Sequence, residues 1–296
     1  MTEAGRRSVS RAQLSRAHPA LERVSPGVGA LDHAAFAALE REDAEAALDL
    51  LADLARATDP ALRRQAERLA ARVALRLARV GGRHARHGVG LLVARRGGDG
   101  DLDLERSLAR ADGTALGPED LVLRGWAAPR RAVCLLLDRS GSMRGSQVML
   151  AAVAAAGVVL SLREREDSAV VAFAHDAVVL RSPTVPRPAD ALVRDLLALR
   201  GAGATDLALA LRLAGRELAR TGAREGVTLL LSDAEATVGG DPLAAAGALD
   251  RLHVLGTSVT PGAVRAGRAL AARGHGSYVA VRGVADLAPA LRTLLG

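Results

Sequence analysis

The sequence predicts an α/β protein: a mostly parallel sheet flanked by helices on both faces and preceded by a small helical N-terminal region. Three observations carry this. After Arg131, short apolar runs alternate with helical stretches, the order that builds parallel sheets through helical crossovers. The runs are apolar at successive positions, as strands buried on both faces require. Residues able to bind ligands collect where the runs end, at the edge where such sheets hold their ligands.

The strand candidates are Ala132 to Leu137, Ser168 to Ala174, Ala177 to Leu180, Val227 to Leu231, Leu252 to Leu255 and Tyr278 to Val281. The second and third flank a His175-Asp176 turn like a hairpin, which gives the sheet one antiparallel edge. Helical stretches lie at about Ser146 to Leu162, Ala189 to Leu199, Leu207 to Arg220, Pro242 to Arg251, Ala263 to Arg273 and Val284 to Leu295. Val148 to Leu162 is apolar almost all round. It is too short for a comfortable membrane span and follows a strand and a Gly-Ser turn, so it reads as a buried core helix.

Upstream, residues 1–30 are polar, Arg-rich and interrupted by Pro19 and Pro26, and are expected to form a mobile tail. Residues 31–80 read as an antiparallel helical hairpin. Leu48, Leu51 and Ala55 recur at helical spacing, and Asp59-Pro60 supplies an N-cap followed by proline at the first helical position. Leu62, Ala66, Leu69, Val73, Leu77 and Val80 form one stripe, with Arg63, Arg64, Glu67, Arg68, Arg72 and Arg76 opposite. Residues 81–130 are rich in Gly and charge and read as a linker with local structure; residues 131–296 form the α/β domain. His84 and His87 lie in the linker without a third ligand and read as solvated loop residues.

Composition narrows the function classes. A length of 296 residues fits one full domain plus a smaller one. With Phe36, Phe173, Trp126 and Tyr278 as the whole aromatic inventory, the core must be built from Ala, Leu and Val. The net charge of +7 is carried by Arg alone, since the chain has no Lys. So few aromatics leave almost no platform for stacking bases, which argues against specific nucleic-acid recognition. Cys134 is the one cysteine and lies in an apolar run, so neither a disulfide framework nor a thiolate zinc site is available within one chain. The amino terminus lacks the pattern of a secretory signal. A cytoplasmic protein without a membrane span is the expectation.

Three loops at predicted strand ends hold the candidate site. The first run leads into Asp138-Arg139-Ser140-Gly141-Ser142, a Gly-rich loop carries Thr205 and Asp206 ahead of a helix, and the fourth run leads into Ser232-Asp233. Each residue type also serves as a helix cap or strand terminator: Ser140 or Ser142 for one helix, Thr205 or Asp206 for another. Together, Asp-x-Ser-x-Ser, a Thr in a Gly-rich loop and a later Asp resemble the metal-ion-dependent adhesion site of von Willebrand factor A domains, over roughly the last 165 residues. The resemblance implies a Rossmann-like fold and a divalent cation, Mg²⁺ or another such as Mn²⁺. It implies hydroxyl ligands from Ser140, Ser142 and Thr205, with Asp138 and Asp233 holding bound waters. Magnesium prefers octahedral oxygen ligation and keeps several waters. Mostly neutral ligands leave it attractive to an anionic oxygen from outside.

Many relatives carry Gly after the last Asp, whereas this chain has Ala234 followed by Glu235. A position needing positive φ tolerates Ala poorly, so either the third loop is shaped differently or Glu235 adds a carboxylate near the cation. Arg139 in the first loop can assist capture of an acidic group or simply be solvated.

The helical region, the charged linker and the carboxy-terminal A domain together resemble bacterial CoxE-like proteins associated with MoxR AAA+ ATPases. The A domain is also similar to that of magnesium and cobalt chelatase D subunits. The chain has no Gly-x-x-x-x-Gly-Lys-Ser/Thr loop, so ATP hydrolysis must come from a partner. These resemblances imply a non-enzymatic adaptor that presents its metal to an acidic residue of a MoxR-type ATPase or client. Two alternatives stand beside it: a Mg²⁺-dependent phosphoester hydrolase, with Asp206 and Glu235 as candidate bases, and an RNA-binding protein resembling the Ro family.

Overall fold

The computed structural model describes residues 8–80, 91–96, 101–110, 117–127, 131–139, 146–161, 167–185, 187–199 and 203–295. The chain divides into two compact units, residues 1–84 with 131–296, and residues 85–130.

In chain order the first unit begins with α1 (Arg11–Ala17), α2 (Leu21–Val24), α3 (His33–Glu42), α4 (Ala44–Leu54) and α5 (Pro60–Val80). The second unit holds β1 (Leu91–Arg96), β2 (Asp101–Leu102), α6 (Leu104–Leu108) and β3 (Val122–Ala127). The first unit resumes with β4 (Arg131–Asp138), α7 (Ser146–Ser161), β5 (Asp167–Phe173), β6 (Ala177–Arg181), α8 (Ala189–Ala198), α9 (Leu207–Ala219), β7 (Glu225–Ser232), α10 (Pro242–Ala246), β8 (Arg251–Gly256), α11 (Pro261–Arg273), β9 (Tyr278–Ala280) and α12 (Val284–Leu295).

The main sheet has the order β6-β5-β4-β7-β8-β9. Only the β5–β6 pair is antiparallel, as the hairpin around His175-Asp176 requires. Every residue of β4 is buried and β7 is nearly so, which explains their unbroken apolar runs. Their side chains point alternately to two cores. Val133, Leu135, Leu137 and Leu229 face α7, α8 and α12, while Cys134, Leu136, Phe173 and Leu230 face α9, α10 and α11. Met149 through Ala156 of α7 are buried, as an all-apolar helix inside protein must be. Among the described residues no helix is long and apolar enough to cross a membrane.

The N-terminal helices form an outer layer. α4 and α5 pack on α7, and α5 also meets α8 and α12, so Leu50, Leu54, Ala66 and Ala74 join the same core as Val133 and Leu135. The expected hairpin is three helices: Asp43 ends α3 and its carboxylate caps α4 through the Ala46 N–H at 2.9 Å. Asp59 caps α5 through the Ala61 N–H at 2.8 Å.

Residues 8–30, expected as part of a tail, carry α1 and α2 and bury Leu14, Leu21 and Val24. A Ser10–Gln13 capping box starts α1, and Val9 bridges Ala57. The 81–130 span, read as a linker, holds the sheet β1-β3-β2 among its described residues. There the buried Asp103 carboxylate accepts from Arg124 Nε at 2.8 Å and caps α6 through the Arg106 N–H. Cationic partners and these hydrogen bonds hold it below the usual carboxylate range, although burial alone would raise it. α10 ends at Ala246, well short of the expected Arg251, because Gly247 closes the helix and Asp250 turns back to accept the Gly226 N–H at 3.0 Å. His84 and His87 lie outside the described residues.

Candidate metal centre

The candidate residues fall on the carboxyl edge of the sheet, where β4 and β7 end side by side. Their register pairs Leu137 with Leu231, which sets Asp138 next to Ser232. The Ser232 hydroxyl donates to Asp138 Oδ2 at 2.6 Å, with both residues buried. Ser232 Oγ in turn accepts the Ala234 N–H at 2.9 Å. One hydroxyl therefore orients the carboxylate on β4 and shapes the turn after β7.

That turn has a strained residue. Ala234 sits at φ 62° and is 4% exposed, in a conformation that costs an L-residue about 1–2 kcal/mol. The left-handed turn at the Gly-favouring position is thus formed by alanine itself, held by the Ser232 bond and by the Glu235 N–H donating to Asp233 Oδ1 at 3.0 Å. Asp233 is partly exposed, with its carboxylate at the edge. Glu235 is exposed, and its Oε1 accepts from the Thr260 hydroxyl at 3.5 Å, beside the start of α11.

Thr205 is delivered by the loop ahead of α9. Its N–H donates to Thr237 Oγ1 at 2.8 Å, and its carbonyl accepts the Thr237 and Val238 N–H groups at 3.0 and 3.3 Å. The Asp206 N–H donates to Ala174 O at 2.8 Å, tying the loop to the end of β5. Asp206 Oδ1 caps α9 through the Leu209 N–H at 2.8 Å. Gly239, at φ 93°, lies so close that a Cβ there would fall 2.2 Å from the Asp206 carboxylate. The Thr205 backbone is therefore fixed. Its hydroxyl, on a residue 3% exposed, has no hydrogen-bond partner among the described residues.

Asp138, Thr205 and Asp233 are brought to one edge; Ser140 and Ser142 lie outside the described residues. Sequence reasoning named Ser232 in the third loop without giving it a role and passed over Thr237; these two residues position Asp138 and Thr205. Ser232 reads as the end of a strand, and Thr237 lies beyond any motif. Arg139 donates its backbone N–H to Phe173 O at 2.7 Å and pairs through its guanidinium with Asp176 in the β5–β6 turn. A small cavity at Asp138 is lined by Arg56, Asp138 and Arg139 and by aliphatic side chains of β4, α7, β5 and the end of α8. The N-terminal layer thus reaches the border of the site.

The donor set fits a hard cation. Among the described residues no group of three or more His, Cys, Asp or Glu side chains is gathered that could hold a metal ion. A cation at this edge would meet the Thr205 hydroxyl, one buried carboxylate at Asp138 and one half-exposed carboxylate at Asp233. All are oxygen donors, which favours magnesium or manganese over softer metals.

Residues 133–235 match the von Willebrand factor type A domain family, and the first unit that contains them is a mixed α/β structure with a mostly parallel six-stranded sheet flanked by helices. Solved structures similar to the chain include an aerotolerance-related membrane protein from Bacteroides fragilis, at 18% identity and a TM-score of 0.45, covering 56% of this chain and 98% of that one. The conserved hypothetical protein BatB from Bacteroides thetaiotaomicron is similar at 20% identity and a TM-score of 0.43, covering 55% of this chain and 96% of that one. A von Willebrand factor type A structure from Catenulispora acidiphila is similar at 22% identity and a TM-score of 0.44, covering 58% and 43%. The chain matches no curated protein.

Proposed function

We propose that the chain is a cation-dependent protein-interaction module that grips a carboxylate of a partner protein at the carboxyl edge of its sheet. The hydroxyls of Ser140, Ser142 and Thr205 would hold Mg²⁺, or another divalent ion such as Mn²⁺, and Asp138 and Asp233 would hold its waters and balance its charge. When bound, such an ion would supply an electron-poor site open to a partner's Asp or Glu. The observation that carries this reading is the buried pairing of Ser232 with Asp138, at the same sheet edge as a Thr205 whose backbone is held by Thr237 and whose hydroxyl has no partner among the described residues. This chain's own residues do the positioning: Ser232 aims Asp138, and Thr237 holds Thr205.

The function is adaptor rather than enzyme. The two acids nearest in sequence to the site that could serve as general bases are engaged elsewhere, Asp206 in capping α9 and Glu235 with Thr260. The resemblance to CoxE-like proteins makes a MoxR-type AAA+ ATPase, or an acidic client under maturation or metal insertion, the expected partner in the cytoplasm.

Capture of partners from native extract by the full chain tests this, comparing Mg²⁺ with EDTA and the wild type with Asp138→Ala. A partner retained only with metal and an intact Asp138 is the expected result, and an AAA+ ATPase among the retained proteins would support the finer assignment. Equal recovery in all four conditions would overturn cation-gated binding. Mg²⁺-dependent phosphoester turnover lost in Asp138→Ala would replace the adaptor with a hydrolase.

A further inference from the structure

The outer face of α5 carries a row of arginines, of which only Arg76 is paired within the fold among the described residues. Arg64, Arg68, Arg72, Arg76 and Arg79 are all exposed, while Leu62, Ala66, Leu69, Ala70, Val73 and Ala74 are buried on the opposite side. Arg76 pairs with Glu40 of α3. Arg64, Arg68, Arg72 and Arg79 have no hydrogen-bond or ion-pair partner among the described residues. Glu67, the one acidic residue of α5, is only part exposed and neutralises none of them through an ion pair.

The spacing is specific. Successive members stand four residues apart from Arg64 to Arg76, so guanidiniums recur about every 6 Å along the axis, and the row from Arg64 to Arg79 runs about 22 Å. Arginines four apart on one helix repel each other and weaken it, yet three such pairs follow in succession at 64/68, 68/72 and 72/76. The i, i+4 row is also the ridge along which two helices pack.

We infer that this row is a docking surface for an acidic helix of a partner protein, one that presents Asp or Glu at every fourth residue. Carboxylates on such a helix repeat at the same pitch of about 6 Å and accept the planar guanidinium in paired hydrogen bonds. A single convex ridge suits this partner better than nucleic acid. Phe36 and Phe173 are fully buried, so neither offers bases a surface to stack on. The inference goes beyond the cation-gated carboxylate grip and does not rest on it.

The test uses the full chain in EDTA and two fluorescent Ala-rich helical peptides of identical composition, one with Glu at every fourth residue and one with the glutamates contiguous. Anisotropy titration should show the in-register peptide binding at least tenfold more tightly than its isomer. Arg64→Glu/Arg68→Glu/Arg72→Glu should lose at least tenfold in affinity for it and gain affinity for the matching Lys peptide. Its melting temperature should change little, because the 64/68 and 68/72 pairs remain like-charged while the 72/76 pair becomes attractive. Equal binding of the two isomers, an unchanged titration in the triple variant, or tighter binding to duplex RNA or phosphatidylserine vesicles than to the in-register peptide would each overturn the inference. Working in EDTA keeps the result separate from the cation site, so either proposal can fail alone.

Discussion

The Ser232 hydroxyl stands 2.6 Å from Asp138 Oδ2 and also accepts the Ala234 N–H at 2.9 Å, so one side chain couples the ends of two adjacent parallel strands. Ser232→Ala removes both bonds from a buried position. Charge-assisted hydrogen bonds of this kind contribute roughly 1.5–3 kcal/mol. The expected outcome is a stability loss of about 2 kcal/mol in chemical denaturation, with a weaker response to added Mg²⁺. Ser232→Thr, which keeps the hydroxyl, should recover most of both.

Ala234→Gly should stabilise the protein. Glycine relieves the left-handed strain at φ 62°, while its greater freedom in the unfolded chain takes back part of the gain. The net is a gain of up to about 1 kcal/mol, a rise of a few degrees in melting temperature. A lower melting temperature would mean that the Ala234 methyl, buried among the residues packed against α9 and β7, contributes more than the strain costs.

Gly239→Ala should do the reverse. Its Cβ would meet the Asp206 carboxylate at 2.2 Å, and its φ of 93° is one that alanine resists. Displacing Asp206 removes the N-cap of α9 and loosens the loop that delivers Thr205. A loss of about 2 kcal/mol or more is expected in thermal melts, whereas an unchanged melt would show that the loop yields freely.

His253 sets an acid limit on stability. It is buried on β8, and its Nδ1 accepts the Ser277 N–H at 3.1 Å, which fixes the proton on Nε2. Burial first, then the charges of Arg251 and Arg131 against a smaller opposing effect of Glu225, lowers its pKa from 6.5 to about 4. The unfolded chain therefore binds a proton near pH 6.5 that the folded chain refuses until about pH 4. Stability from this group is complete above that window and falls as the pH drops through it, by as much as about 3 kcal/mol. His253→Asn retains an acceptor near the Nδ1 position and cannot protonate. Denaturation of the variant at pH 7 and at pH 4.5 should show a smaller difference than in the wild type, and equal differences would exclude His253 as the source.

Strands buried on both faces leave an unmistakable trace in sequence, which is why Ala132 to Leu137 and Val227 to Leu231 lie within β4 and β7. The placement of Asp138 and Asp233 at the sheet edge was legible because each follows an apolar run, and that of Thr205 because it lies in the loop ahead of a helix. Ser232 was not, since a serine closing an apolar run looks like a boundary, and its role appears only when the register sets it beside Asp138. The helices of residues 8–30 escaped notice for another reason. With seven and four residues, α1 and α2 are too short to display a period, and Leu14, Leu21 and Val24 matter only through the groove they fill. The small sheet of the second unit was hidden by length as well, β2 being two residues long.

The most direct test of the central claim is calorimetric titration of the metal-free full chain with Mn²⁺, beside Asp138→Ala and Thr205→Ala. The account predicts one bound ion per chain in the wild type, at least tenfold weaker binding in each variant, and competition by Mg²⁺. Absence of binding in the wild type, or the same affinity in all three proteins, would contradict a cation centre at the ends of β4 and β7.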